Sequence, residues 1–163
     1  MMGSGKTTIG RELSKITRWP YHDNDALLAR LTGATAKDLL TDHGVGSLRS
    51  GEAGALELGL QEAAPCIVGA PAGTIMDARL RELMRRNAFV VWLTASPTAL
   101  VRRARGAAHR PWLGGDAEAW MTTTLAERAP LYKALADMTV NTDRRRPRAV
   151  AQQIANQLEE RCA

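Results

Sequence analysis

Aromatic residues are scarce. Two tyrosines, one phenylalanine and four tryptophans amount to 4% of a 163-residue chain. The formal net charge is +5, and a basic balance raises nucleic acid as a partner. With so few aromatics and no recognition motif, no nucleic-acid partner is expected. An arginine-lined pocket for phosphates and an acidic metabolite accounts for the same charge. Cysteine is nearly absent: Cys66 and Cys162 lie far apart, match no metal spacing, and read as free thiols in a reducing cytosol. The three histidines, His22, His43 and His109, have no ligand spacing to one another. No apolar run approaches the roughly 20 residues that span a bilayer. The N-terminus lacks the basic start and apolar stretch of a secretory signal, since Lys6 and Arg11 interrupt it. A cytoplasmic chain with no membrane partner is expected. There is no repeat, linker or low-complexity segment, and the length suits a single domain, residues 1–163, with its own core. A monomer is expected.

What is present is an alternation of apolar runs with helical stretches. Thr7 to Ile16 carries Ile9, Leu13 and Ile16 on one helical face. A short strand is expected around Trp19-Pro20-Tyr21, leading into Asp23. Helices follow at 26–31, 36–40 and 45–63, and a buried strand at 65–69. Asp77 reads as the cap of a helix to Arg86. A strand follows at 88–93, and Pro97 opens a helix to about residue 105. Residues 106–115 are loop-like, and 117–135 are helical with a break at Pro130. A last strand is expected at 138–142, and Pro147 starts a final helix. Strands alternating with helices imply an α/β layered fold with a mainly parallel sheet.

The front of the chain carries the strongest chemical signal. Gly3-Ser4-Gly5-Lys6-Thr7-Thr8 matches the end of the G-x-x-x-x-G-K-[ST] phosphate loop and runs into a helix. Glycines let backbone N–H groups turn inward on phosphate oxygens, and the helix N-terminus adds its dipole. Lys6 would reach the terminal phosphates of ATP and the Thr7 hydroxyl would hold Mg²⁺. The pattern implies a three-layer P-loop sandwich with helices on both faces of the sheet. The first glycine of the pattern would fall just before Met1, and the strand that should precede the loop is absent. A start placed too late, or a trimmed chain, is the expected reason.

Asp23 and Asp25 flank one residue at a strand end, where alternation aims both the same way. Two carboxylates beside a phosphate loop suit a Mg²⁺-side group and a group on the acceptor hydroxyl. A helix cap is the other reading of Asp25. Further along stand Leu48-Arg49-Ser50-Gly51-Glu52, Arg110-Pro111-Trp112-Leu113, Arg128-Ala129-Pro130-Leu131-Tyr132 and Asp143-Arg144-Arg145-Arg146-Pro147. With the phosphate loop and Asp23-Asn24-Asp25, in this order and spacing, they make the chain resemble the shikimate kinase family over nearly its whole length.

The resemblance implies ATP-dependent phosphorylation of the 3-hydroxyl of shikimate, a step of aromatic amino-acid biosynthesis. It assigns Asp23 to the Mg²⁺ side, acting largely through water, and Asp25 to the acceptor hydroxyl as candidate base. Arg49 and Arg128 would clamp the substrate carboxylate in paired charge-assisted bonds. Glu52, three residues after Arg49, would hold the guanidinium in place. Arg110 would sit on a lid near residues 106–116 and stabilise the transferring phosphate. Arg103 and Pro147 fall at adenine-contacting positions, and Arg145 on the nucleotide side. One departure stands out. The family's Gly-Gly-Gly turn is here Ala70-Pro71-Ala72. Pro71 has no N–H and a fixed negative φ, so the acceptor half of the site is altered. That leaves two alternatives open: a kinase of another small hydroxylated carboxylic acid, or an impaired nucleotide-binding paralogue.

Overall fold

The computed structural model describes residues 1–104 and 116–162. Its contacts divide the chain into two compact units, one made of 1–5 and 75–143, the other of 6–74 and 144–163. The predicted lid, with Arg110, His109 and Trp112, lies outside the described residues.

In the second unit, helix α1 spans Lys6–Thr17 and buries Ile9, Gly10 and Leu13. It packs against α7, Pro147–Cys162, whose Val150, Ala151, Ile154 and Ala155 are buried at the 3.6-residue period. Pro147 takes the first helical position, where a missing N–H costs nothing. Strands β1, Tyr21–His22, and β2, Ile67–Val68, pair in parallel, with Tyr21 opposite Ile67. The expected strand at 65–69 is therefore shorter, and β2 is half-buried where a buried strand was expected. Among the described residues its sheet has two strands, so neither is flanked on both sides.

Helix α2, Asn24–Thr32, is capped at its start by Asp23 and ends at Gly33 in the left-handed region (φ 72°). Helix α3, Ala36–Leu60, opens with a capping box between Thr35 and Asp38. Gly44 inside it is non-helical (φ 80°, ψ 176°), so the two helices expected at 36–40 and 45–63 are two arms joined by one residue. Leu27, Leu28, Leu39, Leu48 and Ala55 form the shared core of α2 and α3.

In the first unit, β3, Val91–Thr94, and β4, Met138–Asn141, form a second parallel pair. Helix α4, Ala78–Asn87, is capped by Asp77, whose carboxylate accepts from the N–H groups of Arg79 and Leu80. Helices α5, Pro97–Ala104, and α6, Ala117–Leu135, pack together. Met1, Ala95, Ala99, Leu100, Val101 and Met121 form one buried cluster. The break expected at Pro130 does not occur: α6 continues through it. Pro130 is on the exposed side, where water can satisfy the carbonyl that loses its helical partner. Among the described residues no strand precedes α1, and the strands fall into two separate parallel pairs.

Candidate functional site

Two glycines shape the phosphate loop. Gly3 (φ 71°) and Gly5 (φ 94°) lie in the left-handed region, which costs an L side chain about 1–2 kcal/mol. Gly3 is required a second time, because a methyl group there would lie 2.5 Å from the carbonyl oxygen of Leu100. Between the glycines Ser4 is buried, at 1% exposure, and its Oγ has no partner among the described residues. Such an orphan is unusual in a packed interior. Lys6 opens α1, so Lys6, Thr7 and Thr8 sit on the first turn of a helix. Alternating backbone signs at a helix start are the arrangement that turns backbone N–H groups toward an anion.

Asp23 stands at the end of β1 and caps α2. Its Oδ1 accepts the Asp25 N–H at 3.0 Å and its Oδ2 accepts the Tyr21 hydroxyl at 3.2 Å. The cap is thus Asp23, and Asp25 is an exposed residue in the first turn of α2. The strand-like alternation expected for the pair does not hold, because the chain turns helical at Asn24. The Thr7 hydroxyl hydrogen-bonds the same Tyr21 phenol oxygen. Burial raises the Tyr21 pKa to about 12, with the Asp23 charge pushing the same way and Thr7 opposing. Tyr21 is the functional neighbour that sequence reasoning missed. Residues 21 and 23 share a side of an extended chain, and that spacing could have found it.

The oxygen set of Thr7 and Asp23 fits Mg²⁺, a hard cation that takes one or two protein oxygens and fills its shell with phosphate and water. Among the described residues each Asp23 oxygen accepts one protein hydrogen bond, which leaves it a lone pair. Among the described residues no group of three or more His, Cys, Asp or Glu forms a self-sufficient metal cage.

Arg49, on the second arm of α3, donates to Glu52 Oε2 at 2.6 Å. Its guanidinium also crosses Gly73: a methyl group there would lie 2.6 Å from Arg49 Cζ. The altered turn is therefore not empty. None of residues 69–73 has a positive φ, which is why Pro71 fits. The Pro71 carbonyl accepts the Thr74 hydroxyl at 2.7 Å and opens the short 3-10 turn Thr74–Met76.

In the first unit, Arg128 hydrogen-bonds the Tyr132 hydroxyl one helical turn away. Tyr132 stacks on Trp92, with ring centroids 5.4 Å apart and planes at 13°. Burial lifts the Tyr132 pKa to about 12, against the opposing charge of Arg128. Arg103 donates to Thr142 twice, to Oγ1 at 3.0 Å and to the carbonyl at 2.9 Å. Both bonds occupy the edge of its guanidinium. In the second unit, Arg145 donates to Gln153 at 2.6 Å.

A left-handed glycine loop at a helix start, parallel strands and an acidic residue beside the loop define a P-loop phosphotransferase. The comparisons name the family. The shikimate kinase family model matches residues 2–159, and the chain belongs to the shikimate kinase family. It is 35% identical over 166 residues to a shikimate kinase of Symbiobacterium thermophilum, covering 99% of this chain and 94% of that protein. It is 34% identical over 160 residues to a shikimate kinase of Rhodococcus erythropolis, covering 98% and 94%. Among solved structures, shikimate kinase from Acinetobacter baumannii in complex with shikimate superposes with TM-score 0.90 at 28% identity, over 98% of this chain and 89% of that one. The enzyme from Bacteroides thetaiotaomicron gives 0.84 at 27% identity, over 98% and 94%. The fold is that of the P-loop kinases, and ATP is the phosphoryl donor used across such a family.

Proposed function

We propose that the chain transfers the γ-phosphoryl group of ATP to the 3-hydroxyl of shikimate, as one cytoplasmic kinase domain with a lid at about 106–116. The observation that carries the reading is the phosphate loop: left-handed Gly3 and Gly5, the buried hydroxyl of Ser4, and Lys6 and Thr7 on the first helical turn. Lys6 and the loop N–H groups neutralise the phosphates. Thr7 and Asp23 hold Mg²⁺, which when bound screens the charge of the β- and γ-phosphates. Asp25, exposed at the start of α2, accepts the proton of the acceptor hydroxyl. Arg49 and Arg128 bind the acceptor carboxylate, and Arg110 stabilises charge on the transferring group. Arg103, Arg145 and Pro147 serve the nucleotide side.

A coupled ADP-release assay tests this. Release with shikimate should far exceed release with ATP alone, and Lys6→Ala should abolish it. No turnover above ATP alone overturns the reading. A second reading, a kinase of another small hydroxy acid, rests on the lost N–H at Pro71. One missing charge-assisted bond costs roughly 1.5–3 kcal/mol, about ten- to a hundredfold in affinity. Turnover with a different hydroxy acid, and none with shikimate, would favour it.

A further inference from the structure

Two glycines from different elements of one unit make room for a single ring. On α1, a methyl group at Gly10 would lie 2.8 and 2.9 Å from Cδ2 and Cζ of Tyr21. Just past β2, a methyl group at Gly69 would lie 2.8 Å from the Tyr21 hydroxyl and 3.5 Å from Cζ. The ring comes from β1, so three elements converge on it. The hydroxyl at its tip meets Asp23 Oδ2 at 3.2 Å and the Thr7 hydroxyl. Asp23 is also fixed at its other oxygen by the Asp25 N–H. A phenylalanine would fill the slot equally well and supply neither hydrogen bond.

We propose that Tyr21 is a positioning residue for the Mg²⁺–nucleotide site: seated between Gly10 and Gly69, its hydroxyl sets the Asp23 carboxylate and the Thr7 hydroxyl relative to each other. This rests on the reading of Thr7 and Asp23 as the Mg²⁺ side. The phenol donates its single proton to Asp23 Oδ2. Tyr21 itself touches neither metal nor nucleotide; it acts through the two groups that do. Outer partners of metal ligands commonly carry 10–100-fold in metal affinity.

The test is calorimetric titration of ADP into the full chain at a series of Mg²⁺ concentrations, for the natural chain and Tyr21→Phe. ADP affinity without Mg²⁺ and the melting temperature should be unchanged in Y21F. The Mg²⁺ concentration giving half of the affinity gain should rise about tenfold, with the acceptor KM unaltered. Gly69→Ala, which displaces the hydroxyl alone, should reproduce the Mg²⁺ effect and add nothing in the Y21F background, where its methyl group meets Cζ and the His22 carbonyl oxygen at ordinary distances. An identical Mg²⁺ dependence in Y21F and the natural chain overturns the role of Tyr21. If the natural chain shows no Mg²⁺ dependence at all, the Mg²⁺ reading of Thr7 and Asp23 fails, and the proposal with it.

Discussion

The guanidinium of Arg49 lies where a side chain at residue 73 would be. Glu52 holds one end of it, and the bare Cα of Gly73 lets it cross the altered turn. Because the obstructing atoms belong to the far end of a flexible chain, Gly73→Ala should leave the melting temperature nearly untouched and move the guanidinium instead. The expected outcome in steady-state kinetics is an acceptor KM raised about tenfold, with kcat and the ATP KM unchanged. In an Arg49→Ala background the same substitution should have no further effect, since a pair acting through one group is non-additive. At this scale the sequence identified types of residue well and their roles less well. Asp23 and Asp25 were visible as a pair beside the loop, because acidic residues near a phosphate loop have few other uses. Their division of labour was not visible: capping depends on where the helix begins, and Asn24 began it one residue before Asp25. Tyr21 escaped notice because a tyrosine on a short strand reads as core until the two glycines facing it are seen.

Helices were more legible than strands. An apolar stripe at helical spacing marks a helix before any partner is known, so α1 and α7 lie close to where periodicity put them, and α4 close to where its cap put it. Asp77 as a cap was legible from its type and place alone. Asp77→Ala removes the acceptor for two N–H groups of α4 and should cost about 1 kcal/mol. In a chain of this length that is a fall of about 2–4 °C in melting temperature, checked by a thermal melt followed by circular dichroism. The strands were drawn too long, because a run such as Phe89-Val90-Val91-Trp92 is apolar before it pairs, whereas a ladder exists only where a partner reaches: β3 is paired over Val91–Thr94. Pro130 misled in the other direction. Proline forbids one hydrogen bond; it ends a helix only when nothing else holds the next turn, and here Leu135 on that turn is buried.

Across the molecule the two units each keep one tyrosine, and these are the only two in the chain. Both phenols are raised from 10.0 to about 12, chiefly by burial. The sign follows from linkage. A group whose folded pKa exceeds its unfolded value contributes stability that is complete below the unfolded pKa and is lost as pH rises through the folded one. Stability from these phenols should therefore be level up to about pH 10 and fall between pH 10 and 12. Tyrosinate absorbance of the folded chain should appear near pH 12, and in denaturant near pH 10. Urea unfolding across that window, compared with the Y21F and Y132F double variant, checks it: the variant should show a shallower alkaline decline.

Gly44 has a consequence for the phase of the long third helix. Leu39 and Leu48 are nine residues apart, and at about 100° per residue that separation in an unbroken helix is half a turn, which would send the two leucines to opposite sides. Both are nonetheless buried in the same cluster with Leu27 and Leu28. The single non-helical residue at 44, with its positive φ, resets the azimuth between the arms, so the amphipathic register of each arm is written independently of the other.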